Sequence, residues 1–217
     1  MDYSKHYDTV VKLMDKEHLF YHTIDHINFM LESANEIFIK NPTTDCKKIM
    51  VDSINKKFFM PDVLFFSIIF HDCFYIPGNE NNEEVSATIA HYELKNKKDS
   101  DKLADIVYSL IKSTKKHEQI FPANSNNGYI NQLLIDLDLL NLAADYNDFL
   151  KTNELIKKEF CFSGKVSPEM FDKGRIDFFN SMLNKQPILK TNHFSQLNTK
   201  IEQNINNFLK NNHLQKQ

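Results

Sequence analysis

The chain has 217 residues, enough for one sizeable domain with a buried core, and its net charge of −3 gives no general attraction to nucleic acids or anionic membranes. Its 4 glycines and 6 prolines are too few for a β protein with many tight turns. The three cysteines are widely spaced, which argues against a disulfide framework and for a reducing compartment. The N-terminal segment has no apolar leader, and the most apolar run, residues 63–70, is too short to span a bilayer. The chain is therefore expected to be cytoplasmic.

Apolar residues recur at helical spacing along most of the chain, and no sustained alternation of apolar and polar residues is found. The sequence therefore predicts an all-α protein, a helical bundle forming a single domain over residues 1–217. The predicted helices cover residues 3–18, 23–39, 61–74, 80–96, 100–115, 129–143, 145–162, 167–183 and 193–211. Residues 43–59 are predicted to be a polar, partly helical connection, and residues 117–128 a loop.

The last predicted helix carries an apolar stripe on an otherwise polar surface. Such a stripe packs either on the core of its own chain or on a partner, for example a second copy of the chain in a homodimer. The stripe consists of Ile201, Ile205, Phe208 and Leu209.

A histidine and an aspartate, His71 and Asp72, follow the most apolar segment of the chain. An imidazole and a carboxylate in apolar surroundings cost free energy unless something pairs with them. The dipeptide alone is a weak signal, because a core histidine bonded to a carbonyl and an aspartate capping the next turn would explain it equally well.

Two further segments place polar side chains among apolar ones. His22 and His26 are four residues apart, so on a helix they would share one face, although a surface pair or an N-cap would also explain them. Asp136 and Asp138 are two residues apart in an aliphatic helix and cannot both face one point. One of the two aspartates can be a ligand, and periodicity does not choose between them.

A divalent metal ion would pair with the histidines and carboxylates of all three segments at once. Imidazole nitrogen and carboxylate oxygen, without thiolate, suit Mn²⁺, Fe²⁺, Co²⁺, Ni²⁺ or Zn²⁺, and Mg²⁺ is also compatible with the carboxylates. The sequence does not decide which metal binds, or whether one or two ions do.

These segments, in this order, resemble the HD superfamily, and more closely its bacterial family of predicted metal-dependent HD phosphohydrolases. The resemblance covers about residues 18–195, with the last helix (193–211) beyond it. The matching segments are Tyr21-His22…His26, Phe70-His71-Asp72…Tyr75, Asn82-Glu83-Glu84…Ser86-Ala87 and Asp136-Leu137-Asp138-Leu139, with weaker matches at Lys157-x-Glu159-Phe160, Gly174-Arg175 and Ile188…Thr191…Phe194. Lys157 is a departure, since the close family usually has arginine there.

The resemblance implies metal ligation by His26, His71, Asp72 and Asp138. Asp138 is preferred over Asp136 because the family's ligand precedes the leucine of the Asp-Leu pair. The Tyr-His segment also resembles the cyclic-nucleotide phosphodiesterases, a distant branch of the superfamily. That likeness implies that His22 is a general acid, which protonates the leaving oxygen.

Other side chains are candidates for supporting roles. Glu83 or Glu84 would orient the attacking water, although an acidic helix start also explains both. His117 lies in a Ser-Thr-Lys-Lys-His run that resembles a T-x-x-H element of HD proteins, and it would assist the leaving group or bind a phosphate or a second metal. The candidates for binding substrate are Lys112, Lys116 and Arg175. A solvated helix end would also explain the two lysines, and pairing with Asp172 or Asp177 would also explain the arginine.

The implied activity is hydrolysis of a phosphate ester by a metal-activated water. The substrate would be a small nucleotide or a phosphorylated metabolite, with no nucleic acid polymer and no membrane as a partner. One alternative is an HD-type di-iron oxygenase, which needs further ligands, for which His91 and His117 are the nearby candidates. Another is a non-catalytic sensor domain that binds metal and nucleotide without turnover.

Overall fold

The computed structural model describes residues 2–95 and 101–214. The described part is predominantly helical and divides into two compact units, residues 1–137 and 138–217. The division falls inside one continuous helix, α6 (Asn126–Leu139), two residues before its end.

The first unit is built around a short and predominantly apolar helix. Its elements are α1 (Tyr3–Met14), α2 (Ile24–Lys40), β1 (Cys46–Val51), β2 (Lys56–Pro61), α3 (Asp62–Phe70), α4 (Asn82–Lys95), α5 (Asp101–Thr114) and most of α6. Every residue from Leu64 to Phe70 is without exposed surface, because α1, α2, β2, α4 and α5 all pack on α3. Burial of these side chains is the main favourable term in the stability of this unit.

Residues 46–61 form a β-hairpin, so the prediction of a partly helical connection over residues 43–59 was wrong. The strands pair antiparallel, and a short 3₁₀ helix (Asp52–Ile54) joins them. Asn55 follows it with a φ of 49°, a left-handed conformation that asparagine tolerates better than most residues. The all-α prediction therefore holds only as a predominantly helical fold.

The hairpin buries one of its faces. Ile49 and Val51 on β1, and Phe58 and Met60 on β2, are buried, and two exposed lysines precede them in each strand. Ile49 lies opposite Phe58 in the pairing register. The apolar residues alternate only twice in each strand, which is why a search for sustained alternation does not detect them.

Most predicted helices agree with the structure to within a few residues. α1 ends at Met14, four residues before the predicted end, and α6 begins at Asn126, inside the predicted loop. The predicted ends at residues 96 and 100 lie outside the described residues. No helix among residues 2–95 and 101–214 is long and apolar enough to cross a membrane.

The second unit packs its helices around aromatic rings. Its elements are a 3₁₀ helix (Leu140–Ala143), α7 (Tyr146–Cys161), α8 (Pro168–Asn184), a 3₁₀ helix (Ser195–Leu197) and α9 (Asn198–Leu214). The rings of Phe149, Phe179 and Phe208 contact one another at centroid distances of 5.0 to 6.1 Å. Ile201 and Ile205 are fully buried, so the apolar stripe of the last helix packs largely on the core of its own unit.

Candidate metal centre

The end of α3 positions His71 and Asp72. The helix ends at Phe70, whereas the sequence predicted that it continues through residue 74. The chain turns at once, since the N–H of Cys73 donates to the carbonyl of Phe70 at 3.2 Å. His71 is 1% exposed and Asp72 is 8% exposed, so both polar side chains are held at the inner end of the most apolar helix.

A main-chain hydrogen bond fixes the tautomer of His71. Its Nδ1 lies 2.8 Å from the carbonyl oxygen of Ile68. Because a carbonyl oxygen only accepts, Nδ1 must carry the proton, and Nε2 of the neutral ring then holds the lone pair. Nε2 lies 3.1 Å from Oδ2 of Asp72, so this nitrogen and this oxygen lie next to each other. A metal-binding histidine usually donates its other N–H in this way.

His26 approaches the same place from α2. It lies in the first turn of that helix, is 4% exposed, and its ring centroid is 5.4 Å from that of His71. The ring of Tyr21 lies on its other side, 5.0 Å away between centroids. The first turn of α2 therefore brings a second buried imidazole to the end of α3.

His22 lies before α2, which begins at Ile24 with Thr23 as its N-cap, so the four-residue spacing does not place His22 and His26 on one helical face. A tight turn, in which the N–H of Thr23 donates to the carbonyl of Tyr21 at 2.8 Å, brings the ring back toward the helix. The centroids of His22 and His26 are 6.4 Å apart, and Nε2 of His22 is 4.0 Å from Oδ2 of Asp72. His22 therefore borders the group without being one of its members.

Asp138, in the last turn of α6, completes a group of four. His26, His71, Asp72 and Asp138 each offer one ligand atom, and these atoms all lie within 4.8 Å of one another. The first three side chains are buried and Asp138 is half-buried. We call these four residues the His/Asp cluster. They are the four residues that the sequence motifs single out as ligands.

The donor set of the His/Asp cluster fits a divalent cation. Ligands bound on opposite sides of an ion at about 2.1 Å are about 4.2 Å apart, so the observed upper limit of 4.8 Å requires only a small contraction. Two neutral imidazoles and two carboxylates carry the charge of −2 that one such ion balances. Burying two carboxylates without a counterion costs roughly several kcal/mol for each of them.

The thiol next to the cluster is buried. Burial is the largest cause that raises the pKa of Cys73 to about 12, with Ser86 lowering it and the carboxylate of Asp72 raising it. The donors of the cluster itself are imidazole nitrogen and carboxylate oxygen, which suit borderline and hard cations rather than thiophilic ones.

Glu84 and Lys112, two of the predicted site residues, pair with each other. The Lys112 ammonium lies 2.8 Å from the carboxylate of Glu84, and both side chains are nearly half exposed, at 45% and 47%. Lys112, and then the hydroxyl of Tyr108, hold the pKa of Glu84 below its usual value. This ion pair links α4 to α5, which explains the presence of both residues without a role in binding or catalysis. Glu83 is half-buried in the first turn of α4, and a role of either glutamate in orienting water stays a prediction.

The segment after α5 holds two further predicted residues. His117 has a left-handed backbone, with a φ of 51°, and its N–H donates to the carbonyl of Thr114 at 3.2 Å as the helix ends. Lys116 is exposed. His91, the other extra ligand considered for a di-iron site, lies 2.9 Å from Asp105 on the surface. Substrate contacts by His117 and Lys116 stay predictions.

Arg175 packs α8 on α7 in the second unit. Its Nε donates to Oδ1 of Asn153 at 2.6 Å, and its guanidinium lies 4.6 Å from the ring centroid of Phe179. Pairing of Arg175 with Asp172 was an alternative, but Asp172 accepts two bonds from Lys157, at 2.7 and 2.9 Å. Lys157 thus makes a helix-to-helix ion pair, and a phosphate contact of Arg175 stays a prediction.

Tyr75 is the residue near the cluster to which the sequence assigned no role. Its ring stacks on that of His22, with centroids 3.6 Å apart and an angle of 17° between the planes. Its position three residues after Asp72 was the signal in the sequence that Tyr75 lies near the cluster. The sequence does not show that its ring would stack on that of His22.

Comparison of the chain with models of protein families, with curated proteins and with solved structures found no match. Membership of the HD superfamily therefore stays a hypothesis drawn from the motifs. The structure independently provides a predominantly helical chain and a His/Asp cluster that could hold a metal ion.

Proposed function

We propose that this protein is a metal-dependent phosphohydrolase of the HD type, which cleaves a phosphate ester of a small nucleotide or phosphorylated metabolite. The observation that carries the proposal is the convergence of His26, His71, Asp72 and Asp138 on one point. The four residues come from three separate segments of the chain, and no packing requirement explains why all three should place imidazoles and carboxylates together.

The His/Asp cluster would hold one divalent cation, from among Mn²⁺, Ni²⁺, Co²⁺, Fe²⁺, Zn²⁺ and Mg²⁺. When bound, such an ion lowers the pKa of a water molecule and shields the charge of a phosphate. The residues of the chain supply the rest. The bond from His71 Nδ1 to Ile68 fixes the direction of the Nε2 lone pair, so the ring does not have to be reoriented when the ion binds.

His22 is the residue proposed to donate a proton to the leaving oxygen. Its Nε2 lies 4.0 Å from Asp72 Oδ2, at the edge of the cluster rather than within it. A general acid needs this kind of position, close to the reacting ester but not occupied as a ligand. A carboxylate near the cluster would accept the proton of the attacking water, and Glu83 and Glu84 are both proposed as candidates for this role.

The first test combines metal analysis with a phosphatase assay. The purified protein is stripped of metal, reconstituted with each of the candidate ions, and analysed for bound metal and for release of phosphate from a panel of phosphate esters. Wild type is compared with Asp72→Ala and Asp138→Asn. Asp105→Asn is the matched control, because it removes a carboxylate that pairs with His91 on the surface.

We expect about one ion per chain and turnover in wild type and in Asp105→Asn, and the loss of both in the two cluster variants. Bound metal without turnover of any phosphate ester would instead support a metal-dependent sensor. Absence of bound metal after reconstitution with every ion would contradict the proposal at its first step.

A further inference from the structure

Two of the three residues that follow Cys73, Phe74 and Ile76, are held by α4 through their main chain. The hydroxyl of Ser86 accepts a hydrogen bond from the N–H of Phe74 at 3.1 Å and donates one to the Phe74 carbonyl at 3.1 Å. The amide of Asn82 accepts from the N–H of Ile76 at 3.0 Å and donates to the Ile76 carbonyl at 2.9 Å. We call this pair of side chains the Asn82–Ser86 clamp.

The clamp is built for a fixed geometry. Asn82 and Ser86 are four residues apart on α4 and therefore lie on one face of the helix. They are 4% and 0% exposed, so their hydrogen bonds are shielded from competing water. Each side chain satisfies both the donor and the acceptor of one residue, which leaves the segment little freedom to shift.

Tyr75 lies between the two clamped residues. Its own carbonyl accepts a hydrogen bond from Nε2 of His18 at 3.3 Å, so all three main-chain units of the segment are tied to other elements. Its ring stacks on that of His22 at 3.6 Å between centroids. The clamp thus fixes the backbone that carries the ring on which His22 rests.

We propose that Tyr75 is a positioning residue for His22, and that the Asn82–Ser86 clamp holds Tyr75 in place for this purpose. His22 precedes α2, and fixing one rotamer of a side chain costs entropy. The stack offsets part of that cost and favours the position in which Nε2 lies beside Asp72. The consequence for catalysis rests on the proposed phosphohydrolase function, whereas the position of the ring does not.

The first measurement concerns the position of the ring and needs no activity. Histidine-labelled, metal-free protein is studied by NMR, because an aromatic ring stacked on an imidazole shifts the resonances of the imidazole protons. We expect this shift of His22 to be kept in Tyr75→Phe, lost in Tyr75→Leu, and reduced when the clamp is opened by Ser86→Ala. Tyr92→Leu, which changes an exposed tyrosine of α4, is the matched control and should leave the shift as it is.

The second measurement separates positioning from packing in the Mn²⁺-loaded protein. Loss of a general acid lowers kcat by about 10²–10⁴-fold for an ester with a poor leaving group, such as an alkyl phosphate, and far less for p-nitrophenyl phosphate. Tyr75→Leu should show the same dependence on the leaving group, with about a 10-fold or larger loss on the alkyl ester, and Tyr75→Phe should restore activity. Adding Tyr75→Leu to His22→Gln should cost little more than His22→Gln alone.

Two results would overturn the proposal. One is a His22 spectrum in Tyr75→Leu that equals the wild-type spectrum. The other is that Tyr75→Leu lowers kcat equally on both esters and that its effect adds to the effect of His22→Gln. A tyrosine with a merely structural role would give this result. If wild type hydrolyses no phosphate ester, the proposed function fails, and the NMR result alone then decides whether Tyr75 positions His22.

Discussion

Asp136 and Asp138 lie two residues apart on α6 in different surroundings. Asp136 has no exposed surface, whereas Asp138 is half-buried and places a carboxylate oxygen in the His/Asp cluster. Residues two apart on a helix point in directions roughly 200° apart. The same short segment therefore supplies a buried polar group on one side and a candidate ligand on the other.

Asparagine at these two positions should have different effects. Asp138→Asn removes a charged ligand, so we expect loss of stoichiometric metal. The metal-free protein should lose no stability, because the substitution removes one of two like charges that no counterion balances. Asp136→Asn changes a carboxyl group that has no exposed surface, and a buried polar group that loses its pairing costs about 1–3 kcal/mol, so we expect a loss of that size in the free energy of unfolding. Elemental analysis and urea unfolding of the metal-free proteins measure the two effects.

Each aspartate variant is the control for the other, since both make the same chemical change on one helix. The assignment of Asp138 would be wrong if Asp136→Asn lost the metal while Asp138→Asn retained it.

The hydroxyl of Tyr3 ties α1 to the start of α3, because it donates to Oδ1 of Asp62 at 2.8 Å. Burial, and then the carboxylate of Asp62, raise the pKa of Tyr3 above its usual value. The folded protein thus holds the phenol proton more tightly than the unfolded chain does. This contribution to stability is complete below about pH 10 and is lost as the pH rises further.

Tyr3→Phe keeps the ring contacts with Phe65 and Phe66 but removes the hydroxyl. We expect it to lower the free energy of unfolding by about 1 kcal/mol at neutral pH, and to make the decline above about pH 10 shallower than in wild type. Urea unfolding across the alkaline range measures both effects. Parallel declines in the two proteins would show that the phenol of Tyr3 is not responsible.

Ile205 anchors α9 in the second unit, where it has no exposed surface. Truncation to alanine removes buried methyl groups and leaves a cavity, so we expect Ile205→Ala to cost about 2–5 kcal/mol. Asn206→Ala, on the exposed side of the same helix, is the control and should change stability little. Since Ile205 packs within its own unit, we expect no change of molecular mass in solution. A change of mass together with unchanged stability would mean that α9 packs on a partner.

Part of the His/Asp cluster is visible in the sequence because its side chains are costly where they stand. His71 and Asp72 follow a predominantly apolar segment, and Asp136 and Asp138 interrupt an aliphatic one, so the free-energy cost of burial makes them conspicuous. The choice of Asp138 over Asp136, and the set of four as a whole, came from the resemblance to the HD superfamily. Helical periodicity likewise predicted most of the helices, since their buried faces repeat at regular spacing.

The remaining features depend on contacts that a sequence does not display. The hairpin over residues 46–61 was missed because buried apolar residues alternate with less buried ones over a very short stretch of each strand. The partners of Glu84 and Arg175 were missed for another reason. A charged side chain can pair with any opposite charge or ring that the fold brings near, and that choice is made by the packing of α4 on α5 and of α8 on α7.

The abrupt end of α3 at Phe70 also adds to the negative potential at the His/Asp cluster. The carbonyl end of a helix carries about half a negative charge, and here it lies beside the carboxylate of Asp72 in surroundings that screen it poorly. Together with Asp138 it makes a place that attracts cations and repels anions. If the protein acts as we propose, a phosphate ester would gain access only after a cation has bound, and the cation would be the first ligand.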